Sequence, residues 1–188
     1  MIGFAVTGSF CTHKKALHVL QELCGAGYRV QPIVSFAVSG TDTRFGKAED
    51  LLRELSRITG EKVISTIPEA EPLGPKTPLE ALVICPCTGN TLAKLAAGIT
   101  DTPVTMAAKA HLRQARPLLL ALATNDAMGS NLKNIGILSE KKSVYFVPMV
   151  QDDPDKKPFS LVSDFSRCSS ALGAALSGTQ LRPLFLTN

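Results

Sequence analysis

The chain has 188 residues, close to the size of one compact domain, so one core and a single domain spanning 1–188 are expected. Hydrophobic residues make up 45%, enough for that core, and the 5% aromatic share suits helix-on-sheet layers better than a sandwich of large rings. The net charge of +4 is carried by scattered Lys and Arg in short pairs such as Lys141-Lys142, which argues against a nucleic-acid-binding face.

The opening MIGFAVTGSF has no charged leader, and its apolar run breaks at Thr7-Gly8, so it reads as a strand rather than a signal peptide. No apolar run reaches the roughly 18 residues of a membrane span, and a cytoplasmic protein is expected. Five cysteines with no C-x-x-C pair indicate neither a disulfide framework nor a zinc ribbon. After the Ile2–Val6 strand, Lys14 to Ala26 carries a helical apolar face. A strand follows at Val30 to Ser35, and a helix from Lys47 to Ile58 is stopped by Gly60. A short strand is expected at Lys62 to Thr66, then an exposed connection from Pro68 to Pro78. Ala81 to Cys85 is a buried strand ended by Pro86, with a helix from Asn90 to Ala97 stopped by Gly98. Pro103 to Gln114 and Met128 to Leu138 read as helices around a strand at Pro117 to Ala123. Ser143 to Val147 is the last strand expected, ahead of a polar loop from Asp152 to Pro158 and a terminal helix from Asp164 to Leu176.

Strands separated by such helices predict an α/β fold: a Rossmann-like three-layer domain with a parallel sheet flanked by helices. Ligands of these sheets bind outside the carboxyl ends of the strands. Thr7-Gly8-Ser9, Pro86 to Thr91 and Thr124 to Met128 should all lie on that rim. In Ile84 to Gly98 (ICPCTGNTLAKLAAG) a buried strand runs through Thr88-Gly89-Asn90-Thr91 into a short helix. Free N–H groups at a helix start favour an anion, and Gly89 would let backbone approach a phosphate. The same residues could equally be an ordinary N-cap by Thr88 or Asn90. The first turn lacks Gly-x-Gly-x-x-Gly, so a mononucleotide fits it better than NAD(P).

PCTGNTLAKLAAG resembles the segment that phosphopantothenoylcysteine decarboxylases and flavin prenyltransferases carry after the corresponding strand. Val6 to Ser9, Gly98 to Asp101 and Thr124 to Met128 are similar to further segments of the same proteins, in the same order. The chain thus resembles the homo-oligomeric flavin-containing cysteine decarboxylase family. That resemblance implies FMN held by Gly8, Ser9, Thr88, Gly89 and Thr91, with Ser35 and Phe36 at the second strand end. It places Asn90 and Asn125 as active-site amides facing substrate carboxylates. It also implies a homo-oligomer, a trimer or a multiple of one. Two departures stand against the family's commoner activities. Pro68 to Leu82 has no His where the decarboxylases need one, and Thr124-Asn125 stands where prenyltransferases carry Arg-Glu. His13, His18 and His111 read as structural or surface residues, and Cys87 as an inert small hydrophobe.

Gly3 to Phe10, Pro86 to Thr91 and Val147 to Pro154 are most similar to one branch of the family. Members of that branch work during spore formation with a second subunit that resembles an NAD(P)-dependent dehydrogenase. The resemblance implies oxidation of a small cyclic dicarboxylate to its aromatic form, with FMN in this chain and NADP reached through the partner. The alternatives are a non-catalytic chain that binds or stabilises the partner, and an FMN-dependent decarboxylase.

Overall fold

The structure is a computed structural model and describes residues 1–187. In chain order the elements are β1 (Ile2–Val6), α1 (His13–Gly25), β2 (Val30–Val34), α2 (Phe36–Gly40), α3 (Ala48–Thr59) and α4 (Ile67–Ala70). They continue with β3 (Ala81–Cys87), α5 (Gly89–Ala97), α6 (Pro103–Leu112), β4 (Leu118–Thr124) and α7 (Leu132–Ser139). The last are β5 (Val144–Phe146), β6 (Met149–Val150), β7 (Leu161–Ser163) and α8 (Cys168–Leu176).

The sheet runs β2-β1-β3-β4, with β5 parallel to β4 over Leu118–Leu120. This is the doubly wound order 2-1-3-4-5, in which the connections leave β1 toward opposite edges and open a crevice at the β1 and β3 carboxyl ends. The strands are apolar throughout, and the two-residue period sorts their side chains into two cores. Ala5, Ile33, Leu82, Ile84 and Leu120 pack with α4 to α7 on one face. Phe4, Val6, Val34, Val83 and Leu119 pack with α1, α3 and α8 on the other. Phe4 is completely buried, which contributes about 1.5–3 kcal/mol from transfer alone.

Several expectations need correction. Lys62 to Thr66 is no strand: only Ile64 bridges Ile33. Pro32 has no N–H to extend that ladder, and the Lys62 carbonyl accepts from Gln31 Nε2 instead, at 2.7 Å. Pro86 does not end β3, which runs on to Cys87 across a register shift that needs no N–H from the proline. Pro68 to Pro78 is exposed only in part: Pro75 to Pro78 are exposed as expected, while Ala70, Leu73 and Gly74 are buried, with Gly74 packed against α6. The helix expected from Met128 starts at Leu132, since the Asp126 carbonyl accepts from the Gly129 and Asn131 amides and holds a turn ahead of it. Ser143 to Val147 is not the last strand. The short antiparallel pair β6 and β7 follows it, and β7 joins β4 at Ala123 and Thr124, so the sheet is mostly rather than wholly parallel.

Glycine at position 74 is a packing requirement, because a Cβ there would lie 2.3 Å from the Ala110 carbonyl oxygen. Gly74→Ala should cost about 1–3 kcal/mol in urea unfolding, as overpacking against backbone does. Gly136→Ala, on α7 with open space around it, should be neutral or stabilise by about 0.5–1 kcal/mol. Equal effects at the two positions would contradict this packing.

Candidate functional site

Because β1 to β4 are parallel, their carboxyl ends form one rim, and side chains stitch its turns together. The Ser35 amide donates to the Val6 carbonyl at 3.1 Å, joining the ends of β2 and β1. Thr7, only 1% exposed, joins β1 to β3. Its hydroxyl donates to the Pro86 carbonyl at 2.7 Å and accepts from the Thr88 amide at 3.0 Å. Gly89 lies against the turn after β4, where a Cβ would come within 2.6 Å of both Thr124 Oγ1 and Asn131 Nδ2. Glycine is needed there for approach to neighbouring side chains, a different reason from the phosphate contact anticipated from sequence.

Thr88 caps α5 as the simpler expectation had it: its hydroxyl accepts from the Thr91 amide at 3.3 Å and donates to Thr91 Oγ1 at 3.1 Å. The Thr91 hydroxyl proton is thereby left without an acceptor among the described residues, as are the first-turn amides of Gly89 and Asn90. At the end of β2, on the far side of β1 from α5, the Ser35 hydroxyl is buried and has no partner among the described residues. A buried unpaired hydroxyl costs about 1–3 kcal/mol, so an acceptor belongs beside it. The Thr91 hydroxyl and the α5 N-terminus, donors on the same first turn, fit the phosphate of a mononucleotide such as FMN, and the Ser35 hydroxyl lies on the same rim.

Gly8 and Ser9 are half-buried between Thr7 and the short 3-10 turn Phe10–Thr12, and Phe36 is 48% exposed at the start of α2. Asn90 and Asn125 are exposed on the rim, and their side chains make no hydrogen bond among the described residues. The rim therefore gathers all nine residues singled out by the sequence, with the two asparagines at its outer edge. Sequence reasoning did not reach the polar chain behind Asn125. There Asn134 Nδ2 donates to Asn131 Oδ1, Asn131 Nδ2 donates to Asp126 Oδ2, and Thr124 Oγ1 donates to Asp126 Oδ1 at 2.5 Å.

His13 was also undervalued. Its Nε2 lies 2.9 Å from the Thr7 carbonyl, which can only accept, so in the neutral ring Nε2 carries the proton and Nδ1 the lone pair. Burial lowers its pKa and outweighs the Thr7 hydrogen bond. Burial likewise lowers that of His111, whose Nδ1 has no partner among the described residues. Position could have signalled His13, since it lies only six residues beyond Thr7, the first residue after β1. Cys87 is fully buried, and burial pushes its thiol up to about 12, so it supplies no thiolate near neutral pH. Among the described residues no helix is long and apolar enough to cross a membrane, and no cluster of His, Cys, Asp or Glu could hold a metal.

The fold and its rim are those of an α/β flavoprotein. A family model described as Flavoprotein matches residues 1–167, and the chain belongs to that family. It is 44% identical to the B subunit of dipicolinate synthase from Bacillus subtilis (strain 168) over 187 residues, 100% of this chain and 94% of the relative, and is a homologue of that protein. The crystal structure of the dipicolinate synthase B subunit from Bacillus halodurans C superposes with a TM-score of 0.91 at 41% identity, covering 100% of this chain and 96% of the other. The FMN-dependent cysteine decarboxylase SpaF shares the fold, with a TM-score of 0.68 at 24% identity and 94% of both chains covered.

Thr7→Val removes both bonds across the β1/β3 crevice and should cost about 1–3 kcal/mol in urea unfolding, with Thr7→Ser recovering most of the loss. An unchanged Thr7→Val transition would show that the bridge carries no stability. The histidines predict a pH dependence. With folded pKa values below the ordinary 6.5, the unfolded chain takes up their protons first, so stability falls as pH drops below 6.5. Melting temperature should decline between pH 7.5 and 5.5, and less steeply for His13→Gln with His111→Gln. A flat profile would contradict the buried, neutral state of both rings.

Proposed function

We propose that the chain is the FMN-binding subunit of a dipicolinate synthase, acting in spore formation with the A subunit of that enzyme. The observation that carries the flavin part is the pair of free donors at the α5 N-terminus and on Thr91, with the buried Ser35 hydroxyl, unpartnered among the described residues, on the same rim across β1. In this reading Ser35, Thr88 and Thr91 hold the phosphate, with Thr88 acting by setting the first turn of α5. Gly8, Ser9, Gly89 and Phe36 line the rest of the flavin site, Gly89 by letting the start of α5 close on Thr124 and Asn131. FMN, when bound, supplies an acceptor for the hydride removed from a dihydro- or tetrahydro-ring on the way to the aromatic pyridine.

The chain's own residues bind and orient. Asn90 and Asn125 are uncharged donors able to face the two carboxylates of a small dicarboxylate without adding charge near an anionic cofactor. Their exposure and lack of other partners support that role. Reducing equivalents would leave through NADP on the dehydrogenase-like A subunit. The oxidoreductase reading is favoured over decarboxylation because Pro68 to Leu82 holds no His and Cys87 is an inert thiol. A homo-oligomer, a trimer or a multiple of one, forms part of the proposal. The large apolar side chains of Phe36, Leu132 and Phe159 stand about half exposed, which supports contact between copies of the chain.

The test is an absorbance titration of the purified chain with FMN. Wild type should give bound-flavin bands, and Ser35→Ala and Thr88→Val should each weaken binding roughly tenfold or more, as loss of a hydrogen bond to a charged group does. Asn90→Ala should leave flavin binding within about twofold and lower turnover with the A subunit instead. No flavin binding by wild type, with the A subunit present or not, would overturn the flavin reading and favour a partner-binding role.

A further inference from the structure

A cavity of about 460 Å³ lies beside the rim, between the start of α1, the segment after α2, and α3. Its volume is within the range of small-molecule sites, roughly 300–1,000 Å³. Two groups in its wall are left over from the site described above, the Cys11 thiol and Nδ1 of His13. Cys11, in the 3-10 turn after Ser9, is exposed, whereas Cys24 is half-buried and Cys85, Cys87 and Cys168 are buried. Burial raises the pKa of Cys24, which makes it the poorer nucleophile. His13 is only 9% exposed, and its Nδ1 has no hydrogen bond among the described residues. That atom still opens on the cavity, because the buried unpartnered side-chain atoms among those residues are Ser35 Oγ and Nδ1 of His111. With the proton on Nε2, Nδ1 of His13 is an acceptor.

The charge around Cys11 is positive. Lys14 and Lys47 line the cavity, and Arg44 stacks over Phe45 of its wall. None of the three has an anionic partner among the described residues. The two acids in the wall, Asp50 and Glu54, are held on α3 by Arg53 and Arg57. Lys157 also comes near Cys11, but Asp152 and Asp153 offset its charge. Much of the remaining wall is apolar: Phe10, Leu17, Val38 and Leu51.

From this juxtaposition we propose that Cys11 is a thiol–disulfide exchange site for a small anionic peptide thiol such as glutathione, seated in the cavity. The Cys11 thiolate attacks one sulfur of the oxidised peptide. A mixed disulfide forms as the old S–S bond breaks, and the departing thiolate takes up the proton that Cys11 gave up. The peptide disulfide is itself the oxidant: Cys11 is oxidised and the departing sulfur is reduced. The unpaired cations draw in the carboxylates, His13 Nδ1 accepts a peptide N–H, and the apolar wall covers the rest of the chain. The adduct fills the cavity that borders Ser9, so access to this side of the rim follows the thiol–disulfide balance. The site rests on the cavity and its charges, and not on the flavin reading.

The test is mass spectrometry of the full chain, with peptide mapping, during reaction with oxidised glutathione, an anionic disulfide, or with cystamine, a cationic one. Each rate is divided by that of mercaptoethanol with the same disulfide, which removes the difference in leaving group. The chain should gain one glutathione, on Cys11, which dithiothreitol releases and Cys11→Ser prevents. At low salt the normalised rate should favour oxidised glutathione by about tenfold or more, as electrostatic steering does. Lys14→Met with Lys47→Met should bring the two normalised rates to within about threefold of each other. His13→Phe should slow the glutathione reaction by about fivefold, as loss of one hydrogen bond does. Lys76→Met, an exposed lysine outside the cavity, should change neither rate. Modification of Cys24 at a comparable rate, a cystamine rate equal to or above that of glutathione, or a preference that survives the double lysine substitution would overturn the inference. Flavin binding enters none of these readings, so its failure would strike the proposed function alone.

Discussion

One hydroxyl group, that of Thr7, fixes the geometry on which the rim depends. Two strands that diverge at a switch point leave backbone groups facing a crevice, and those groups need partners away from bulk water. Thr7 meets two of them at once, the Pro86 carbonyl and the Thr88 amide. By taking the Thr88 amide it sets the residue that caps α5, and the cap aims the remaining first-turn donors outward. The same residue's carbonyl receives His13 and so fixes the start of α1 and one wall of the adjoining cavity. A side chain that binds no ligand itself therefore places most of the groups that could.

The sheet makes such precision possible. Its central strands are apolar on both faces and are covered by two helix layers, so the rim is mounted on close-packed strands rather than on loops. Polar groups that remain unmatched in this setting are informative. The Ser35 hydroxyl and the outward donors of α5 stand against a background in which nearly every buried polar side-chain atom is paired.

Much of this was legible in the sequence, for identifiable reasons. Continuous apolar runs bounded by small residues located β1 to β4, and Gly60 and Gly98 stop α3 and α5 as anticipated, each with φ near 70°. The rim could be placed from sequence because its residues directly follow buried parallel strands, whose carboxyl ends share one side of the sheet. What escaped depends on pairing across distance. Pro86 breaks a strand by local rules, yet here it lies at a register shift where no N–H is missed, and its carbonyl is taken by Thr7 from 79 residues away. Leu73 and Gly74 sit in a stretch that reads as exposed, and only the proximity of α6 reveals them as packing. β6 and β7 are two and three residues long, too short for any period to register. His13 was weighed as a helix residue, when its role comes from the strand end that it reaches.

Hydrogen–deuterium exchange of the intact chain, with and without saturating FMN, addresses the central claim most directly. A flavin site at the β1/β3 switch predicts protection concentrated in the segments 7–9, 35–37 and 88–91, with residues 150–163 and the outer face of α3 little changed. Protection centred elsewhere, or none at saturating FMN, would contradict it.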